Sequence, residues 1–308
     1  MPAPTLPAGM TVLERGWLSA NGILFHAPGT PAALVDSGYC THAGQTLALV
    51  EAALGRRPLE RLLNTHLHSD HCGGNAMLQQ RYPALSTAIP PGEAEAVRAW
   101  DADALSYGAT GQECPRFVFD SLLQPGTPVQ LGHDAWQVHA APGHDSHSVV
   151  LFEPRSRTLL SADALWANGF GVVFPELDGE NAFAEVGATL DLIESLEPAT
   201  VVPGHGPVFT EVAQALSAAR RRLAGFMEEP ARHAQHAAKV LLKFKLLEWQ
   251  RQPMAALLDW VAATPCMRGL HARCGGGLPM GAWAGALVAE LEKLGAARRE
   301  GLVVADAG

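Results

Sequence analysis

Short apolar runs closed by glycine, proline or aspartate recur through the first two thirds of the chain. They are "PAALVDSG" (31–38), "RLLNTH" (61–66), "WQVHAAPGH" (136–144), "SVVLFEP" (148–154), "TLLSAD" (158–163) and "ATVVPGHG" (199–206). Each is too short for a helix and rich in β-branched residues or leucine, so each reads as a strand. "EPRSRT", between two of them, reads as a hairpin turn. Helical periodicity fills the intervals at Thr41 to Leu54, "NAMLQQRY", Gly92 to Ala99 and Asn181 to Leu196, the last preceded by acidic "ELDGEN", which suits a helix start. This alternation predicts an α/β domain, strand-rich and with helices on its outer faces.

Past residue 215 the pattern changes. "ALSAARRRLAGFMEE", "ARHAQHAAKVLLKFKLLEWQ" and "MAALLDWVAA" are helical, and "GAWAGALVAELEKLGAARREGLVVAD" reads as a helix followed by a short strand. The expected organisation is an α/β domain over residues 1–215 and a mainly helical C-terminal domain over 216–308. Charge changes at the same place: residues 1–215 carry 9 Arg, no Lys and 23 acids, a balance of −14, whereas 216–308 carry 13 basic and 8 acidic residues, a balance of +5. A second module explains the shift. Two complementary fields docking on each other is the plainer account; a basic surface for an anionic ligand or nucleic acid is the sharper one.

At 308 residues and 48% hydrophobic the chain can bury full cores. No window approaches the roughly 18 apolar residues of a membrane span, and the N-terminus lacks a basic start followed by an apolar run. Five cysteines at unpaired spacings make a disulfide framework improbable. The expectation is a soluble, unexported, cytoplasmic protein.

The chemistry concentrates in "NTHLHSDHCGGN", with three histidines and an aspartate between His66 and His71. Further ligand types recur where strands end: His144 after "WQVHAAPG", Asp163 after "TLLSA", His205 after "ATVVPG". A strand fixes its last residue while the following loop turns side chains inward, so one end of a sheet is a good place to assemble a metal site. On an extended segment His66 and His68 point to the same side and can grip one ion. Asp70 and His71, just past the strand, can aim at a neighbouring position, so the hexapeptide suggests two ions.

This set of residues resembles the metallo-β-lactamase superfamily over about the first 215 residues. It has H-x-H-x-D-H as His66, His68, Asp70 and His71, the "PGH" histidine as His144, the acid of "SAD" as Asp163 and the final "PGHG" histidine as His205. Asp36 in "LVDSG" matches the family's strand-turn segment, where the aspartate has a structural role. The resemblance implies an αββα sandwich and a dinuclear centre, with His66, His68 and His144 on one metal, Asp70, His71 and His205 on the other, and Asp163 spanning both. Zinc is the first expectation for the two divalent ions, with iron and manganese as alternatives, because nitrogen and oxygen ligands do not select among them. A metal-bridging hydroxide would attack an ester, thioester or lactone carbonyl, and Asp70 would relay a proton.

Departures from particular branches narrow the substrate. Zinc β-lactamases generally lack an aspartate at the bridging position, whereas this chain has Asp163. Thioesterases of the glyoxalase II type share the ligands and a helical C-terminal region, but usually place the last histidine in a "GHEYT"-like context rather than "PGHGPV". The tail resembles the winged-helix-like module of the lactamase-beta-2-like branch, some of whose members cut RNA. Phosphodiester or RNA hydrolysis is therefore one rival, and mononuclear iron chemistry of the persulfide dioxygenase kind another. The acidic catalytic domain disfavours nucleic acid as a partner. A cap over the substrate pocket or a homodimer contact are the other roles open to the tail.

Remaining residues carry less. Cys72 reads as a packed thiol. Cys266, His271 and Cys274 are three groups without a fourth, a weak zinc site. Ser37 has no paired base, and His147 reads as a turn histidine. Trp166, Phe170 and Phe174 follow Asp163 closely; either they wall the pocket, giving the small-molecule substrate an apolar portion, or they pack the interior.

Overall fold

The computed structural model describes residues 6–307 and divides into two compact units. One runs to Leu105 and from Cys114 to Ala224; the other comprises Ser106–Glu113 and Gly225–Gly308, so the division falls inside a long helix.

The first unit contains two sheets. Strands β1 (Met10–Leu13), β2 (Gly22–Phe25), β3 (Ala33–Val35), β4 (Arg61–Leu63), β5 (Ser86–Ile89) and β6 (Ser121–Leu122) form a six-stranded sheet in sequence order. Its first three strands pair antiparallel and the rest parallel. The second sheet holds β7 (Pro128–Leu131), β8 (Asp134–Ala140), β9 (Val149–Glu153), β10 (Thr158–Ala162) and β11 (Thr200–Pro203) in the order β11-β10-β9-β8-β7, with only β10 and β11 parallel.

Period-two alternation explains how the first sheet packs on both faces. Ile23, Phe25, Val35 and Leu63 join Trp136, Val138, Leu151, Leu160 and Val202 of the second sheet in one core. The intervening Leu24, Leu34 and Leu62 face the other way and pack with Val50, Leu54 and Leu78. Those last three lie on helices α1 (Ala43–Leu54) and α3 (Asn75–Arg81), which flank the one-turn helix α2 (Ser69–Cys72). Each leucine or valine wholly removed from water stabilises the fold by about 1.5–3 kcal/mol. The remaining helices of this unit are α4 (Ala94–Ala99), then, after α5 (Tyr107–Thr110) of the other unit, α6 (Phe174–Leu177), α7 (Ala182–Leu196) and most of α8 (Val212–Glu228). Helix α7 buries Phe183, Val186, Leu190 and Ile193 at helical spacing. Helices outside two face-to-face sheets make the expected αββα sandwich.

All six predicted strands are present, but "RLLNTH" is a strand only to Leu63, so His66 and His68 sit in the loop beyond it. The pattern missed β1, β2, β5, β6 and β7, which are at most four residues long. β7 also begins with Pro128 and lies at a sheet edge, where a missing amide is tolerated.

The second unit is mainly helical, with α9 (Pro230–Trp249), α10 (Met254–Ala263), α11 (Pro265–Cys274) and α12 (Met280–Lys293). Strands β12 (Arg251–Pro253), β13 (Ala297–Glu300) and β14 (Val303–Asp306) pair antiparallel in the order β12-β14-β13. The second strand of the C-terminal hairpin inserts beside β12, a strand order like that of a winged-helix module, with three helices between β12 and the hairpin. One reading of the tail needs correction. The single expected strand is a hairpin, because Gly301 at φ +64° reverses the chain in what read as one run. The stretch "CMRGLHARC" is helix α11, and there His271 Nε2 donates to the Leu278 carbonyl (2.7 Å) while Cys274 Sγ donates to that of Leu270 (3.1 Å). These groups do not converge as metal ligands among the described residues. No helix among those residues is long and apolar enough to cross a membrane.

Candidate metal centre

Four loops at strand ends meet at one edge of the sandwich, and local backbone chemistry explains why. Beyond β4 the chain is clamped between the sheets: Thr65 N donates to Asp36 Oδ1 (2.9 Å), just past β3, and the Thr65 carbonyl accepts from Val149 N (2.9 Å), at the start of β9. Helix α2 then turns Asp70 and His71 back toward the strand ends. At β10 the register shifts between Leu160 and Ala162, and Ala162 takes φ +45°. Such a bulge re-aims the next side chain, here Asp163. After β11, Gly204 passes so close that a Cβ on it would lie 2.3 Å from Asp163 Oδ1 and 2.9 Å from the His71 ring, so only glycine fits.

The seven predicted ligand residues come together in two groups, each with ligand atoms within 4.8 Å of one another: His66, His68 and His144, then Asp70, His71, Asp163 and His205. In the first group His68 Nδ1 lies 2.8 Å from His144 Nε2. His144 Nδ1 donates to the Val172 carbonyl (2.6 Å), which fixes the tautomer and turns the Nε2 lone pair inward. In the second, His71 Nδ1 donates to Asp36 Oδ2 (2.8 Å), leaving Nε2 to face inward, and His205 Nε2 lies 3.0 Å from Asp70 Oδ2. Asp163 reaches both groups: Oδ1 is 3.4 Å from His71 Nε2, and Oδ2 is 3.4 Å from His144 Nε2 and 3.8 Å from His205 Nε2.

Two observations test whether this donor set fits cations. His66 Nε2 and His71 Nε2 are buried without a hydrogen-bond partner, a costly arrangement unless a ligand accepts their lone pairs. The set is also all imidazole nitrogen and carboxylate oxygen, suited to zinc, iron or manganese. Both groups therefore could hold a metal ion.

Electrostatics separate the two groups. Burial, reinforced by neighbouring imidazoles, holds His66 well below the ordinary histidine range, and burial pushes His68 and His144 down to about 4. These three imidazoles are neutral at pH 7, the form in which a histidine can donate a lone pair to a metal. Burial also opposes charge on His71, yet the Asp163 and Asp36 carboxylates raise it well above its usual value. Desolvation works against the Asp163 carboxylate too, but His205 and His71 outweigh it and keep the group ionised. Asp70 is likewise held down, against burial, by its hydrogen bond to His205 and the charge of His71.

The aromatic surroundings differ as well. Phe174 lies edge-on to His68 (ring centroids 5.0 Å apart) and His144 (5.7 Å). On the other side Trp166 Nε1 donates to Asp163 Oδ1 (3.2 Å), while Trp17 stacks on His205 at 5.5 Å with ring planes 9° apart. Phe170 is buried and has Arg222 over its face. Cys72 is a buried thiol donating to the Leu67 carbonyl, and Ser37 donates to Asn75 Oδ1, so neither points to a nucleophile. Trp17, Asn21 and Thr65 escaped the sequence reading because none of them belongs to a spacing pattern; only the structure shows them beside the candidate ligands.

The profile described as metallo-beta-lactamase superfamily matches residues 15–205, the span that holds every residue of both groups. The chain belongs to that superfamily. A hydroxyacylglutathione hydrolase from Acidiphilium cryptum is 29% identical over 75% of this chain and 88% of its own length. Another from Anaeromyxobacter dehalogenans is 35% identical over 68% and 71%. Among solved structures, a beta-lactamase domain protein from Burkholderia ambifaria shares the fold with TM-score 0.60 at 20% identity, covering 98% of this chain and 96% of that one. A metallo-beta-lactamase family protein from Thermus thermophilus does so with TM-score 0.57 at 19% identity, covering 98% and 99%. The superfamily fold thus accounts for the sandwich and its loop-borne histidines together.

Proposed function

We propose that this chain, a metal-dependent hydrolase of its superfamily, cleaves a small-molecule thioester at a dinuclear centre. The observation that carries the reading is Asp163, whose two oxygens lie 3.4 Å from His71 of one ligand group and 3.4 Å from His144 of the other. In this reading His66, His68 and His144 would hold one ion and Asp70, His71 and His205 the second, with Asp163 shared between the two groups. Two divalent ions held there, zinc first among the choices, would supply hydroxide near neutral pH and polarise a substrate carbonyl. The protein provides neutral imidazoles on one side and ionised carboxylates on the other. Asp70, held ionised beside His205, is suited to accept a proton rather than give one.

That proton balance favours a thioester. A thiol has an unperturbed pKa of about 8.5, so thiolate departs without a positioned acid, whereas an amine or alkoxide leaving group needs one. The names of the hydroxyacylglutathione hydrolase relatives support the same bond type. A reducing, cytoplasmic setting belongs to this reading and accords with the five free cysteines.

The test is a substrate panel on zinc-loaded protein containing acyl-glutathione thioesters, lactones, a cephalosporin and an aryl phosphodiester. The expected result is kcat/KM for a thioester above every other class by orders of magnitude. A phosphodiester as the best substrate, or no thioester turnover, overturns the proposal.

A further inference from the structure

The loop between β1 and β2 is tied to the ligand loops on both sides. Ala20 N donates to the Asp70 carbonyl (2.9 Å) and Asn21 N to that of Gly204 (2.7 Å). The Asn21 side-chain amide adds bonds to the carbonyls of Pro203 (3.0 Å) and Gly206 (2.8 Å), and its oxygen accepts from Arg15 N (2.9 Å). Leu18, Ser19, Ala20 and Asn21 are at most 3% exposed, yet Trp17, the preceding residue, is 55% exposed. It is the one aromatic among the exposed large hydrophobic side chains of the described residues.

The ring does not hang free. One indole face lies parallel to the His205 imidazole, and the ring meets Trp166 edge-on with centroids 5.4 Å apart. Trp166 in turn donates to Asp163. A loop fixed this firmly beside His205 sets the indole's place, while the surface it leaves in water is apolar, flat and next to the catalytic groups. Covering such a face with a planar group removes apolar area from water and adds aromatic stacking.

We propose that Trp17, backed by Trp166, is a specificity-determining residue that stacks on a planar apolar group of the substrate. The inference rests on the thioester reading for the identity of that substrate. The planar group belongs to either the acyl or the thiol half, and the experiment separates the two.

Trp17→Ala and Trp17→Phe are compared with the parent at matched metal content, using an acetyl thioester of a small thiol, the phenylacetyl thioester of the same thiol, and an acetyl thioester of benzyl thiol. In Trp17→Ala the kcat/KM preference for one aryl-bearing ester over the plain one falls about ten-fold, mainly through KM, as expected for a lost apolar contact. Trp17→Phe keeps most of the preference. The ester that responds identifies the half that stacks. A merely structural role, shielding His205, would lower all three substrates in parallel and overturn the proposal. Calorimetric titration of the same proteins with phenylacetate against acetate, and with benzyl thiol against ethanethiol, keeps the test independent of turnover. If no thioester is hydrolysed the thioester reading fails, but weaker binding of one aryl ligand to Trp17→Ala still supports the stacking role. Equal binding of both aryl ligands to parent and variant, or none to the parent, overturns it.

Discussion

The two ligand groups lie side by side at one sandwich edge, yet their electrostatic designs are opposite. The group of His66, His68 and His144 is three imidazoles kept neutral by burial, with the Val172 carbonyl fixing His144 and Phe174 edge-on to two of the rings. The group of Asp70, His71, Asp163 and His205 adds the carboxylates of Asp70 and Asp163, both held ionised, and the Asp36 side chain bonded to His71 braces it. On the proposed assignment the first would hold a cation by lone pairs alone, whereas the second would also offset its charge. The difference teaches where each group is vulnerable: the first to loss of a ligand, the second to loss of the carboxylates that orient and balance it.

The largest effect should come from removing what both groups share. Dialysis against a strong chelator is expected to abolish hydrolysis, and zinc should restore it; full activity in demonstrably metal-free protein would contradict both halves of the comparison. Next in size is Gly204→Ala. Its methyl group would fall on Asp163 and His71, so the second group should lose its ion while the first keeps most of its own, as metal analysis of the folded variant would show. Asp36→Asn is milder, because the amide oxygen can still accept from Thr65 N. It replaces the oxygen that accepts from His71 Nδ1 and from the Thr65 hydroxyl by an amide donor, and should weaken binding of one ion about 10–100-fold, the usual cost of losing such a support.

The smallest predicted effect concerns stability outside the ligand set. Glu93 is pushed up to about 8 by burial and by Asp145, and its Oε2 is buried without a partner. The folded state therefore keeps a proton that the unfolded chain releases near its ordinary value. Stability is fully present below about pH 4.5 and falls as pH rises toward 8, because there the unfolded state binds fewer protons. Glu93→Gln should flatten that fall and raise the melting temperature at pH 8 by roughly 3–6 °C. An unchanged slope in the variant would show that Glu93 does not cause it.

How much of this was legible beforehand depends on how each residue acts. His66, His68, Asp70, His71, His144, Asp163 and His205 stand out because ligand chemistry restricts residue type and strand ends restrict position. The alternation of Ile23, Leu24 and Phe25 shows how period two feeds two cores, yet β2 was too short to separate from loop in one sequence. Helix α11 was missed because "CMRGLHARC" lacks a clear apolar stripe, and Gly301 hid a hairpin inside an apparent strand. Trp17 and Asn21 act through loop geometry, which no local pattern encodes. Asp36 was legible only as a structural aspartate; its bond to His71 is a contact between residues 35 positions apart.

The central claim is that the two groups hold two ions, and elemental analysis of metal per chain tests it most directly, on protein purified without added metal and with His71→Ala measured alongside. The account predicts near two ions in the parent and near one in the variant. One ion in both would contradict it, leaving the carboxylate-rich group without the role assigned to it.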